Sequence, residues 1–478
     1  MTQKLHSNLQ NSKMARWLIL LCLALPMFAS YFFDDIFSAV SQIFDSPDFL
    51  ELAWDSEDYG LYGGAYSSLC AAGGLIVCGM LLDKLGVRFT GTLFVALMVA
   101  GSLIVTFAIS PAFKSSAVES LIVGFGFKKP SLALAYAGCA LFGLGSEIAG
   151  VSVTKSIAKW FRGKEMALAM GLQLALARLG TAFALIIAPV VILQKEQKKI
   201  IELSTSNNTA EIGLFLMIIG ITTWLVFIFF DRKSDLQNAS VTATDSVMQS
   251  DEDKFKFSDI GRILTNRNFI LVAFLCVFFY CCTLSFKRFA TAILIPRFEM
   301  NDSVASLMVS LLPFCPIIFT PLFGYLVDNR GKATRLMFLG SVLVLFSHLL
   351  FAFAPQGVTF FGFLGFVTLG IAFSLVPAAM WPSVPKIIPE SKLGTAYSLV
   401  FWIQNMGMAL IPQIAGLILK TDETSVCATE KISKSVYAEL VFIGLALVST
   451  IIALWLQKTS QKHPEFKLDA PNKIKRLE

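Results

Sequence analysis

Apolar residues in this chain come in long continuous runs, with the polar residues collected between them. Twelve such runs begin near Trp17, Gly60, Thr90, Ser131, Met166, Glu211, Asn268, Ser303, Arg335, Phe360, Leu393 and Tyr437. Each is on the order of 20 residues long, enough for an α-helix to cross the hydrocarbon of a bilayer. They lack the period-two alternation of barrel strands, and inside lipid only helices or closed barrels satisfy their own backbone polar groups. The expected fold is therefore an all-α membrane protein of 12 transmembrane helices. The first run, Trp17 to Ser30, follows Lys13 and Arg16 in the manner of a secretory leader. Eleven more runs follow it and no small-x-small site precedes Tyr31, so it is read as the first span.

The runs divide once, between Asp231 and Asn268, at a stretch rich in Ser, Thr and Asp that reads as a linker. Six runs stand on each side. The predicted organisation is a tail over 1–16, a six-helix bundle over 17–231, a linker over 232–267, a second six-helix bundle over 268–457 and a tail over 458–478. A short loop motif repeats at equivalent places in the two halves. Gly79, Asp83, Lys84, Gly86 and Arg88 follow the second run; Gly324, Asp328, Arg330, Gly331 and Lys332 follow the eighth. Glycines permit the tight turn, and an acid beside basic residues pairs locally or caps a neighbouring helix.

Composition agrees with the setting: 55% of residues are hydrophobic, 15% charged, and the mean hydropathy is +0.69. Globular chains run at about 45–50% apolar and 25% charged. Both tails and the even-to-odd loops together hold 26 of the 39 Lys and Arg residues, which by the positive-inside rule puts both termini in the cytoplasm. The net charge of +6 thus reflects topology, and no nucleic-acid partner is inferred. Nine cysteines, mostly within runs, read as small buried hydrophobes, and three scattered histidines form no metal or catalytic cluster. His348, inside the ninth run, reads as a satisfied interior imidazole rather than a proton relay. No cofactor is called for.

Two charges stand out because they lie deep in apolar runs. Glu147 is in the fourth run and Arg178 near the middle of the fifth. A charge at bilayer depth costs at least about 2.5–3.5 kcal/mol on insertion scales, so such residues mark transport sites by default. A structural ion pair between them is the plain alternative. As a site, the planar guanidinium grips a carboxylate through two parallel bonds while the carboxylate receives an ammonium. Together they gauge the distance between the ends of a zwitterion. Aligning the halves puts Arg178 opposite Asn405 and Glu147 opposite Ser374, leaving Trp381, Gln404 and Asn405 as contributors from the second half. Tyr31 and Asp35 are added from the first run. Asp34 and Asp35 fit headgroup solvation as well as a cavity, and Lys287 and Arg288 fit either a cavity or a gate.

The paired loops resemble the G-x-x-x-D-R/K-x-G-R-R pattern of the major facilitator superfamily, with Val87 standing where a basic residue is usual. The resemblance runs from about Trp17 to Leu456. It implies two bundles with pseudo-two-fold symmetry that rock about a central cavity, and a conformational gating role for Asp83, Lys84, Arg88 and Asp328. Finer strings, among them Phe142 to Glu147, Gly171 to Gly180, Ala379 to Pro382 and Ile403 to Gly407, resemble the major facilitator superfamily domain-containing protein 1 subgroup, whose members export dipeptides from lysosomes. That resemblance implies that Glu147 receives a peptide's amino group and Arg178 its carboxylate. With no acidic dileucine signal near the start, the expected compartment is the cell (inner) membrane, with a lysosome-like membrane as the alternative.

The reading is a secondary transporter of dipeptides or other small zwitterions by alternating access, not an enzyme. A small organic-anion carrier that uses Arg178 as its clamp is the second reading. Membrane lipid is the expected surrounding; proton coupling and an accessory subunit are left open by the sequence.

Overall fold

The computed structural model describes residues 9, 12–38, 54–161, 166–193, 203–241, 261, 263–388, 393–420, 428–462 and 468–470. Among these described residues, twelve helices are long and apolar enough to span a membrane: α1 Lys13–Asp35, α2 Ser56–Gly79, α3 Leu85–Ala108, α4 Pro130–Ile157, α5 Ala169–Ala188, α6 Thr209–Gln237, α7 Arg267–Phe298, α8 Asp302–Val327, α9 Ala333–Phe353, α10 Thr359–Ser383, α11 Ala396–Leu419 and α12 Thr429–Lys462. The main packing pairs of the first six have counterparts in the last six. The helix α1 packs on α5 and α6 as α7 packs on α11 and α12; α4 packs on α2 and α3 as α10 packs on α8 and α9. Across the two bundles α2 meets α11 and α5 meets α8, again a symmetric pair.

Some boundaries differ from expectation. The helix containing α6 runs on to Val241, past Asp231, and the last helix reaches Lys462. Both extend because a charged surface sequence continues a helix once its apolar part is anchored. The middle of the predicted linker lies outside the described residues. A short helix, Ala117–Gly124, sits between α3 and α4 with Leu121 exposed.

Two of the four motif glycines take the turn conformation the sequence suggested: Gly86, at the start of α3, has φ 78°, and Gly331, between α8 and α9, has φ 66°, while Gly79 and Gly324 are helical. The side chains of Asp83, Lys84 and Asp328 lie outside the described residues. Arg88 is described, and it works within its own bundle. Its Nε is 2.7 Å from Asp231 Oδ2, and its Nη2 also bonds Asp235. Lys159 Nζ and Trp160 Nε1 each donate to Asp231 Oδ1 at 2.8 Å. This network joins α3, the end of the helix that contains α4, and α6.

The helix α10 ends in a broken segment. Residues Trp381–Ser383 form a 3-10 turn around Pro382, and a further helix follows at Val384–Ile387. Proline cannot continue the helical ladder, and the carbonyl of Trp381 accepts from Tyr397 Oη at 3.2 Å.

Candidate functional site

The bundles are tied together at the end remote from the start of α1 and the end of α12, called here the distal end. Lys287 Nζ of α7 lies 2.6 Å from Asp35 Oδ1 of α1, and Arg288 Nη2 lies 2.7 Å from Asp34 Oδ1. Farther out, Lys420, just past α11, reaches Glu57 at 2.7 Å and Asp55 at 3.1 Å. Burial works to raise the Asp55 carboxyl, but the Asp58 N–H, Lys420 and Lys129 outweigh it and hold it below the ordinary 3.8. Glu57 and Asp55 push the Lys420 ammonium up. Between these ion pairs α2 and α11 touch backbone to backbone. A Cβ on Gly416 would come 2.2 Å from Ser56 O, and one on Gly60 would come 2.4 Å from Pro412 O. Small residues allow this approach where lipid supplies no hydrophobic drive between helices.

Beneath this closed end, Arg178 and Glu147 stand around Tyr31. The Arg178 guanidinium lies 5.5 Å from the Tyr31 ring centre and 4.8 Å from that of Phe373 on α10, so aromatic faces from both bundles hold it. Ser30 and Ser146, the residues just before Tyr31 and Glu147, are hydrogen-bonded through their hydroxyls at 2.7 Å, so α1 and α4 bring Tyr31 and Glu147 to the same level. Glu147 Oε1 accepts from Tyr66 Oη of α2 at 3.4 Å. Among the described residues no carboxylate pairs with Arg178, so the plain ion-pair alternative does not describe this arrangement. Both charged residues keep partial exposure.

The second-half candidates split. Trp381 stacks on Phe401 with ring centres 5.1 Å apart, and its Nε1 donates to Tyr280 Oη at 3.3 Å. Tyr280 in turn meets Phe373 edge to face at 6.0 Å. These contacts form a continuous aromatic wall that ends at the Arg178 guanidinium. Gln404 accepts from the Cys276 thiol at 3.2 Å, and Asn405, 1% exposed, donates to Phe401 O of its own helix at 2.9 Å. Neither of these bonds leads to Arg178 or Glu147. Asp35 is fully buried and engaged by Lys287 and Thr181. Away from the site, His348 Nδ1 meets Glu439 Oε2 at 2.8 Å inside the second bundle, an interior imidazole with a partner.

Tyr66, Tyr280 and Phe373 were missed in the sequence. Aromatic residues are common in every span, and only three-dimensional neighbours single these out. The cross-bundle pairs had a readable signal, since an acidic doublet at Asp34-Asp35 is answered by a basic doublet at Lys287-Arg288.

The sequence profile of the Major Facilitator Superfamily matches residues 19–288 and 281–477. The chain belongs to that superfamily. As a major facilitator, it is an integral membrane transporter of small molecules rather than an enzyme. It is similar to the lysosomal dipeptide transporter MFSD1 of Gallus gallus, 29% identical over 315 residues that make up 64% of this chain and 66% of that protein. The match therefore spans just under two thirds of the chicken protein's length. The MFSD1 of Danio rerio is 28% identical over 420 residues, 86% of this chain and 82% of that one. Among solved structures, a bacterial homologue of the human lysosomal transporter Spinster has a TM-score of 0.66 at 14% identity, covering 94% of this chain and 98% of its own. Tetrameric PepTSo2 gives 0.62 at 11% identity, covering 94% and 99%. These likenesses confirm the facilitator fold.

Proposed function

We propose that this facilitator carries dipeptides and similar small zwitterions, Glu147 receiving the amino group and Arg178 the carboxylate. The observation that carries this reading is that the two charges share one aromatic-lined site without pairing with each other. In the organic-anion alternative Glu147 serves as the partner of Arg178, yet its described partner is Tyr66. Opposite charges left apart inside an apolar bundle are costly unless a ligand joins them. Tyr31 and Trp381 line the approach, and the resemblance to MFSD1 points to the same substrate class.

Transport proceeds by alternating access. The distal ion pairs belong to the state closed at that end, and their separation opens that end. The termini are cytoplasmic, on the distribution of Lys and Arg, and the protein resides in the cell (inner) membrane.

Uptake into proteoliposomes tests the reading. Free dipeptides should compete with one another, and acetylating the amino end or amidating the carboxyl end should abolish competition. Equal transport of an amine-free carboxylic acid would replace this reading with the anion carrier. Repeating the assay with and without a pH gradient reports whether protons are coupled.

A further inference from the structure

Asp35 is buried at the distal end of α1, yet its carboxylate is held from three directions. Lys287 of the second bundle lies 2.6 Å from Oδ1 and 2.7 Å from Oδ2. Thr181 of α5 donates to Oδ2 at 2.7 Å, and Ser38 to Oδ1 at 3.4 Å. The positions of these partners matter because of helical spacing. Tyr31 is one turn before Asp35 on α1, and Arg178 is one turn before Thr181 on α5. The Asp35–Thr181 bond therefore sets the same register that places Arg178 over the Tyr31 ring.

The two helices are also jammed together nearby. A Cβ on Gly180 would come 2.2 Å from Phe28 O, so α1 and α5 approach at backbone contact and move as one body. Whatever Lys287 does to Asp35 is passed along that body to Arg178. The other face of Arg178 rests on Phe373, which is carried by the same bundle as Lys287.

We propose that Asp35 is a positioning residue that couples the distal gate to the carboxylate clamp. Lys287 docks on Asp35 only while the bundles are closed at the distal end, and that docking fixes the α1–α5 body so that Arg178 sits between Tyr31 and Phe373. When the gate opens, Lys287 leaves, the Phe373 face withdraws, and Arg178 loses its fixed orientation. By linkage, a substrate carboxylate bound to Arg178 favours distal closure as much as closure favours binding. This inference rests on the assignment of Arg178 to the carboxylate.

The test uses the full chain with Asp35→Asn and, on the opposite bundle, Lys287→Gln. Binding of L-alanyl-L-alanine and of its C-terminal amide is measured by calorimetry. Spin labels on cysteines introduced at the exposed distal positions Phe127 and Val358 report the gate. In wild type the free dipeptide should bind more tightly than the amide and narrow the distal distance distribution to the closed population. In either variant the free dipeptide should bind about tenfold more weakly, within the usual range of coupling between sites. It should also no longer shift the distances, while amide binding stays at the wild-type level. Lys287→Arg, which keeps the charge, should restore both readouts, as a purely structural loss would not allow.

Either variant that folds and keeps the wild-type preference together with the dipeptide-driven closure overturns the coupling. If Asp35→Asn fails to fold, Lys287→Gln decides. Wild type binding the amide as tightly as the free acid would instead overturn the assignment of Arg178 itself, a separate and recognisable failure.

Discussion

Replacing Arg178 by Lys keeps the charge and removes the plane. In the wild type the guanidinium is fixed without a described ion partner, between ring centres at 5.5 and 4.8 Å. A lysine ammonium has no flat face for those rings, so it must be ordered when substrate arrives, at about 0.5–1.5 kcal/mol for a long side chain. It also offers one strong hydrogen bond where the guanidinium offers two, a loss of about 1.5–3 kcal/mol. Together these weaken dipeptide binding by about 2–4.5 kcal/mol, or roughly 30- to 2,000-fold at about 1.4 kcal/mol per decade. Arg178→Leu adds a second, opposite prediction for the unliganded protein. Removing a charge from bilayer depth returns about 2.5–3.5 kcal/mol, whereas the cation–π attraction to the two rings is worth about 1–2 kcal/mol in all. The leucine variant should therefore melt higher than wild type while binding no dipeptide. Calorimetry gives the affinities and thermal unfolding in detergent gives the stabilities. Arg178→Lys binding within about threefold of wild type, well short of a roughly 30-fold weakening, or Arg178→Leu melting lower, would contradict this role of the guanidinium.

Three further outcomes follow from the packing and the charges. Gly416→Ala pushes a methyl against Ser56 O, where the Cβ has only 2.2 Å, so the distal end should be forced apart and the Phe127–Val358 spin-label distance should lengthen. Asp469 accepts from Thr334 N at 2.9 Å at the start of α9 and from Ser460 Oγ at 3.0 Å on α12, so Asp469→Ala should destabilise the second bundle by about 1–2 kcal/mol in thermal unfolding while leaving dipeptide affinity unchanged. In the Asp55–Lys420 pair the acid is lowered and the base raised. The stabilisation from Asp55 is present above its ordinary 3.8 and lost only as pH falls through the lower paired value, and that from Lys420 is lost only in strong alkali. The outer latch should hold unchanged between about pH 5 and 8, and a distal distance that lengthens in this window on a variant retaining only the Lys420 pairs would contradict it.

The twelve spans and the two bundles were legible because hydrophobic run length is a direct image of membrane thickness. Even the tight α2–α3 and α8–α9 turns followed from glycine at 86 and 331. Glu147 and Arg178 stood out as candidates for the same reason, since a charge in an apolar run is conspicuous in one dimension. What surrounds them was not. Phe373 and Tyr66 differ from dozens of other aromatic residues only by where the fold brings them. Asn405 was chosen by aligning the halves, but an amide on a helix satisfies itself on the carbonyl one turn back, here Phe401 O, and need not face a cavity. Asp35 was placed with the substrate-facing groups; the acidic and basic doublets hint at a pairing, but its burial against Lys287 comes only with the closed arrangement of the two bundles. Arg88 pairs with Asp231, 143 residues away, because the extended α6 returns beside the α2–α3 turn.

In the proposed function Glu147 reads the amino end of a substrate and Arg178 the carboxyl end. The most direct test is a binding cycle by calorimetry that crosses two proteins, wild type and Glu147→Gln, with two ligands, L-alanyl-L-alanine and its N-acetyl form. If Glu147 receives the ammonium, acetylation and Glu147→Gln should each weaken binding on the order of tenfold or more, and the two together should cost no more than either alone. Penalties that simply multiply would show that the amino group is recognised elsewhere, and the two-ended account would be wrong.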